Sequence, residues 1–184
     1  CTNPAVTEAN PYYFRVCFLD PFQGSVMASF AKDQFGASNA YVLSMLGEDY
    51  GSGLATYFVN AFEALGGTVT NEQFPEGTSD FSAYIQNAIN AGADVIFAPC
   101  ATTYAAQIIT QAASAGFDKP ITAGDTWESS VILDAQKGTN VQVYCSTFFD
   151  ENDDSGIAKE FVTGYKAWLN GNSQNLTNNG GNDG

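Results

Sequence analysis

The chain has no histidine. That absence removes Ser-His-Asp and Cys-His nucleophile pairs and every imidazole-ligated metal centre. Positive charge is scarce as well. Lys and Arg number 6 against 20 Asp and Glu, giving a formal charge of −14 and a pI near 4.1. So acidic a surface repels nucleic acid and anionic membranes, and no nucleic-acid partner is expected. No apolar run reaches the length of a membrane-spanning helix, and the opening residues do not read as a charged-then-apolar leader. The four cysteines, Cys1, Cys17, Cys100 and Cys145, show neither a CxxC pair nor metal-ligand spacing. They are expected as small buried residues at strand ends rather than a disulfide framework. Cys1 precedes the connector-like Thr2-Asn3-Pro4 and is expected to mark a fragment boundary rather than a lipid anchor.

What the chain does contain is 184 residues at 45% apolar content, enough for one domain with a full core. Tyr41–Phe62 is the organising stretch. Tyr41, Val42, Leu43, Met45 and Leu46 form a short apolar run suited to a strand covered on both faces. Gly47, Gly51 and Gly53 then punctuate an expected loop. From Leu54 the apolar residues Tyr57, Phe58, Ala61, Phe62 and Leu65 follow at helical spacing, and Gly66-Gly67 stops the helix.

The same strand-then-helix rhythm recurs along the chain. Residues 1–11 read as an extended lead-in, and Tyr12–Leu19 as a first strand closed by Asp20-Pro21. A helix is expected over Phe22–Phe35, a half-covered strand over Thr68–Phe74, and a helix over Asp80–Asn90 capped by Thr78 or Ser79. Asp94–Pro99 is a buried strand, Tyr104–Ala115 a helix and Ile121–Ala123 a short strand. A brief helix runs through Leu133, Val141–Phe148 is a further strand, and Ser155–Leu169 is a closing helix whose apolar face holds Ile157, Phe161, Tyr165 and Leu169. Five or six strands alternating with helices give an α/β fold, a doubly wound parallel sheet with helices on both faces. The organisation expected is a lead-in over 1–11, a lobe over 12–171 and a flexible Asn/Gly-rich tail over 172–184.

In a parallel sheet the residues that follow each strand gather along one edge. They are Asp20, Glu48, Asp49, Tyr50, Thr102, Asp125 and Trp127. Most loop acids are simply solvated. Asp125 differs in following a buried strand between Gly124 and Thr126-Trp127, where a carboxylate wants a cation or hydrogen-bond donors. Two acids and an aromatic at Glu48-Asp49-Tyr50 suit a small cation or zwitterion and repel phosphate. Neither GxGxxG nor a Walker-type loop is matched, which leaves a nucleotide site without support. Asp150, Asn152 and Asp154 take calcium-loop spacing, but Ser155 replaces the required Gly and Phe161 the required Glu, so these acids read as favouring a helix N-terminus. Paired carboxylates could serve a glycosidase, though no spacing fixes their separation. No cofactor and no catalysis are expected.

Several ordered segments carry a resemblance: NPAVTEANPYYFRVCFLDPFQG, EDYGSGLA, TSDFSAYIQNAINAGADVIFAP, KPITAGDTWES and AKEFVTGYKAWLNG. Together they resemble the leucine/isoleucine/valine-type solute-binding proteins of ABC transporters, of the type I periplasmic binding fold, up to about Gly171. The resemblance implies a two-lobed extracytoplasmic receptor closing on an amino acid or similar zwitterion and serving an ABC permease. This chain corresponds to the second lobe, with the first lobe of the same protein as its missing partner. Asp125 takes the place of the carboxylate that receives the ligand ammonium, and Tyr50 that of the aromatic closing over the ligand. Ala101 and Thr102 occupy a position often aromatic in branched-chain binders, which sets this chain apart from them. Phe22, Gln23 and Asp20 follow the first hinge strand as cleft candidates, and Trp127 is either cleft wall or packing. A sensory receptor of the same fold and a flavodoxin-like enzyme are the alternatives.

Overall fold

Alternate residues of the central strand face opposite sides of the sheet, and both sides are apolar, so both must be covered. The computed structural model describes residues 2–9 and 11–177, with side chains through 171. The expectations for Cys1 and for the tail beyond Thr177 fall outside the described residues. The elements are α1 (Ala5–Glu8), α2 (Asp20–Phe35), β1 (Asn39–Met45), α3 (Asp49–Ala64), β2 (Thr68–Phe74), α4 (Ser82–Asn90), β3 (Val95–Phe97), α5 (Thr102–Ser114), β4 (Ile121–Ala123), a single 3-10 turn (Asp125–Trp127), α6 (Ser130–Gln136), β5 (Val143–Cys145) and α7 (Gly156–Thr177). The five strands form one parallel sheet in the order β2-β1-β3-β4-β5. The expected α/β doubly wound sheet is what the chain forms.

Ala40 and Val42 of β1, with Val95 and Phe97 of β3, face α2 and α3, where they meet Met27, Ala28, Leu54, Phe58 and Phe62. The intervening Tyr41, Leu43 and Ile96 face the other side and pack against Phe81, Ile85, Ala105 and Ile108 from α4, α5 and the turn before α4. This two-sided core fixes the direction of the helices that lead from one strand to the next. Each strand runs toward the same edge, so each connecting helix begins at that edge and returns from it. The helix N-termini, the strand C-termini and the residues between them therefore share one rim.

Four expectations change. Tyr12–Leu19 is irregular rather than a strand; Tyr12, Phe14 and Val16 are exposed and the segment takes no part in the sheet. Its apolar pattern suits a strand, but a strand forms only where a neighbour accepts its backbone hydrogen bonds. The lead-in contains the helical turn α1. Helix α3 begins at Asp49, so Gly51 and Gly53 lie inside a helix and not in a loop. A Cβ at Gly51 would collide with the Pro99 carbonyl oxygen, and glycine here serves close approach rather than a break. Helix α4 starts at Ser82 without the Thr78 or Ser79 cap; Asp80 Oδ1 accepts from the Ser82 N–H instead, at 2.9 Å.

The chain divides into a unit through Ser146, which holds the sheet, and a second unit from Thr147. In the second unit α7 continues to Thr177, past the expected end at Leu169. Its apolar face is a ladder of stacked rings, with Phe161 and Tyr165 at 5.8 Å and Tyr165 and Trp168 at 6.1 Å. Ile157, Phe161 and Tyr165 are exposed, with the Phe149 ring edge-on to Phe161 at 5.7 Å, so the periodicity marks a real face of the helix.

Candidate functional site

Strand β1 delivers Glu48 and the first turn of α3 to the rim, β3 delivers Cys100 and Ala101, and β4 delivers Gly124 and Asp125. Ser146 directly follows β5. Helix α2 brings Asp20 and Gln23 to the same rim from its first turn, where Pro21 supplies a φ already suited to a helix start. The strand order reverses between β1 and β3, and crevices in such sheets open beyond the strand ends at that point.

At the centre of this rim the Tyr50 hydroxyl donates to Asp125 Oδ1 at 2.8 Å. Both side chains are half-buried. The residues come from the ends of different strands, so the sheet brings together the two positions singled out in the sequence. No ion pair involves Asp125 among the described residues; pairs formed elsewhere include Lys119–Asp118, Lys159–Asp154 and Lys166–Glu151. Burial, together with the adjacent Asp125 charge, drives the Tyr50 hydroxyl far above its ordinary value, so it stays a neutral donor.

Beneath this pair lies a buried polar chain. Gln23 Oε1 accepts from the Asp125 N–H at 2.8 Å and from the Ser146 hydroxyl at 2.5 Å. Gln23 Nε2 donates to Asp20 Oδ1 at 3.2 Å. Asp20 is 0% exposed and Gln23 1% exposed, so neither lines the cleft as expected from their place after the hinge segment. Trp127, also 1% exposed, is core packing and not a cleft wall, its Nε1–H donating to the Cys100 carbonyl at 2.9 Å. Phe22 is exposed on the first turn of α2. Ala101 is exposed, and Thr102 half-buried, at the start of α5. Of the predicted residues, then, Tyr50 and Asp125 meet directly, Asp20 and Gln23 lie behind Asp125, and Trp127 belongs to the core. Ser146 and Gly124 were not singled out in the sequence. Gly124 carried a signal, a glycine directly before the rim acid. Cys100, buried, follows β3 as expected and Cys145, half-buried, ends β5, but Cys17 is half-buried in the irregular segment and not at a strand end; burial pushes the Cys145 thiol up.

Gly124 has a φ of −86°, open to any residue, so its demand is for space. A Cβ there would collide with the Tyr50 hydroxyl and come within 2.7 Å of Leu54 Cδ2 and 3.0 Å of Gln23 Oε1. Gly124→Ala is expected to part Tyr50 from Asp125 and to cost about 1–3 kcal/mol, read as a lower urea midpoint. An unchanged midpoint would show that the rim tolerates the methyl group.

The rim also carries acids whose charge the fold resists. Burial raises Asp20 above the ordinary value of 3.8; hydrogen bonds from Thr2 and Gln23 and the Arg15 charge oppose the shift, and the Asp125 charge adds to it. Burial likewise raises Glu48, whose Oε2 is buried without a partner. The folded protein binds these protons more tightly than the unfolded chain. Their stabilising contribution is therefore complete below the unfolded values and disappears as pH rises through the folded ones. Lowering the pH from about 7 toward about 5 is expected to raise the urea midpoint, and Asp20→Asn to flatten that rise. The same pH slope in parent and variant would contradict the assignment to Asp20.

Solved structures show the same architecture. The leucine binding protein LivK of Thermotoga maritima is 35% identical, with a TM-score of 0.83 over 92% of this chain and 49% of that one. The branched-chain amino acid substrate binding protein LivJ of Streptococcus pneumoniae, in complex with isoleucine, is 26% identical, with a TM-score of 0.78 over the same shares of 92% and 49%. A solute binding protein of R. palustris in complex with 4-hydroxybenzoate shares the fold at 23% identity, with a TM-score of 0.70 over 88% of this chain and 45% of that one. The chain thus spans about half the length of the structures it matches, one lobe of the type I periplasmic binding fold. No curated protein matches it. The sequence profile described as periplasmic binding protein matches residues 2–180, nearly the whole chain, and the protein belongs to that family of binding proteins.

Proposed function

We propose that this chain is a ligand-binding lobe of an extracytoplasmic solute-binding component of an ABC transporter, and that the ligand is an amino acid or similar zwitterion. The observation that carries the reading is the Tyr50–Asp125 pair, a half-buried carboxylate at a strand-end rim with no cation beside it among the described residues. A half-buried carboxylate favours a positively charged partner, and an ammonium group meets that need. Charge placement supports the same class. Asp20, Glu48, Asp49 and Asp125 gather at the strand C-terminal rim, where the Arg15 charge acts on Asp20, while Lys32 sits in the last turn of α2 and Lys119 and Lys137 precede β4 and β5 at the opposite edge. The ammonium end of a zwitterion would dock here and the carboxylate end on an opposing lobe. Ala101 and Thr102 would leave room at the wall that branched-chain binders fill with an aromatic. Closure of two lobes about a hinge would present the loaded protein to a permease. The apolar Tyr12–Leu19 segment suits a hinge strand that pairs when the other half of such a protein is present. The placement outside the cytoplasm rests on the family; among the described residues no helix is long and apolar enough to cross a membrane.

One lobe makes only part of the contacts. Isothermal titration of this chain with a panel of amino acids and 4-hydroxybenzoate is expected to give weak binding that favours the amino acids. Sub-micromolar affinity for the chain alone would refute the half-site reading. A preference for 4-hydroxybenzoate would refute the zwitterion.

A further inference from the structure

The group that fixes Asp125 in place is not on its own strand. Gln23 stands one turn into α2, yet its side-chain oxygen accepts from the backbone of Asp125, 102 positions later, and from Ser146, 123 positions later. Both partners are donors, which determines which way the amide points: the oxygen faces β4 and β5, and the nitrogen faces Asp20 Oδ1. Asp20 lies three residues earlier on the same helix face, and its own N–H donates to the Thr2 carbonyl at 2.9 Å. The amide and the carboxylate are sealed from solvent, so the bonds they make are not exchanged for water. The space above Gln23 Oε1 is tight as well, since any Cβ at position 124 would press on it, on Leu54 and on the Tyr50 hydroxyl.

We infer that Gln23, oriented by Asp20, is the positioning residue of the ligand site: it holds the Asp125 backbone and Ser146 in register so that the Asp125 carboxylate meets Tyr50 at the rim. This rests on the reading of Asp125 as the ammonium acceptor. Gln23 itself touches no ligand. Its part is to lock Asp125, the second residue after β4, which belongs to a 3-10 turn and lacks the ladder of hydrogen bonds that would hold it in a strand. A filler of similar shape without the amide would keep the core intact and release Asp125. A glutamic acid in its place, protonated and donating to Asp20 Oδ1 where the amide nitrogen did, would still accept from both donors.

The test follows the exchange of the Asp125 amide proton by NMR in the 184-residue chain, with L-leucine as the probe of the rim. Gln23→Met is expected to speed that exchange by about tenfold, the size of one hydrogen bond, while the amide of Val42 in β1 is unchanged. Gln23→Asn, which keeps the polar group but falls short of Asp125, is expected to do the same and serves if the Met variant does not fold. Gln23→Glu is expected to keep exchange within about twofold of the parent. The shifts that L-leucine induces at Asp125 and Tyr50 are expected to weaken in the Met and Asn variants and persist in the Glu variant. Unchanged Asp125 exchange in both the Met and Asn variants would overturn the inference, because a space-filling role would not move it. Faster exchange with a full leucine response would overturn it as well. Faster exchange in a protein whose parent form shows no leucine response would support the positioning role and count against the amino-acid reading alone.

Discussion

Asp125→Asn weakens the response to an amino-acid zwitterion by about 10- to 100-fold, the worth of a hydrogen bond to a charged group in a partly desolvated site. The substitution keeps the shape of the side chain and an oxygen that can accept from Tyr50, so the 2.8 Å contact survives while the negative charge does not. The Asp125 N–H still donates to Gln23, and the fold is expected to be intact. What disappears is the attraction for an ammonium group at a rim where Asp20 and Glu48 are held toward their neutral forms. Titration of parent and variant with L-leucine, followed by NMR, checks this. Equal dissociation constants would show that the carboxylate plays no part in binding.

The largest effect on stability is expected at Phe58. Its ring lies between Phe97 of β3, with centroids at 4.1 Å and planes 9° apart, and Phe62 one turn along α3, at 5.5 Å and 13°. It is 0% exposed, at the seam where α2, α3 and the sheet meet. Phe58→Ala removes the middle ring of this stack and leaves a cavity that close-packed neighbours fill only in part, a loss of about 3–5 kcal/mol. Total stabilities of single domains run to about 5–15 kcal/mol, so the variant is expected to be marginal at room temperature. Urea unfolding by circular dichroism measures the difference. Phe22→Ala, on the exposed first turn of α2, is the control and is expected to change stability by less than about 0.5 kcal/mol. A Phe58→Ala loss of that size would mean that the seam repacks.

The parts of the fold legible in the sequence are those whose pattern is local. The strand Tyr41–Met45 and the helix carrying Phe58 and Phe62 show their periods directly, and the structure places them as expected. Positions that depend on a distant neighbour misled. Gly51 looks like a helix breaker until the Pro99 carbonyl is found against it. Tyr12–Leu19 has the composition of a strand but no strand pairs with it among the described residues. The candidate site divides in the same way. Tyr50 and Asp125 could be placed at one mouth in advance because each lies in the segment that follows a strand of a parallel sheet, and topology alone brings such segments together. Gln23 could not be separated from cleft-lining neighbours such as Phe22, because its partners lie more than a hundred positions away and sequence spacing holds no trace of them. Trp127 was open between wall and core for the same reason: the Cys100 carbonyl that holds its indole belongs to another strand end.

The measurement closest to the central claim compares L-leucine with isocaproate, the same skeleton without the ammonium group, by NMR titration of this chain. A rim built to receive a positive charge predicts saturable shifts at Tyr50 and Asp125 with leucine and none with isocaproate. Equal shifts with both compounds, or leucine shifts confined to residues away from Tyr50 and Asp125, would contradict it.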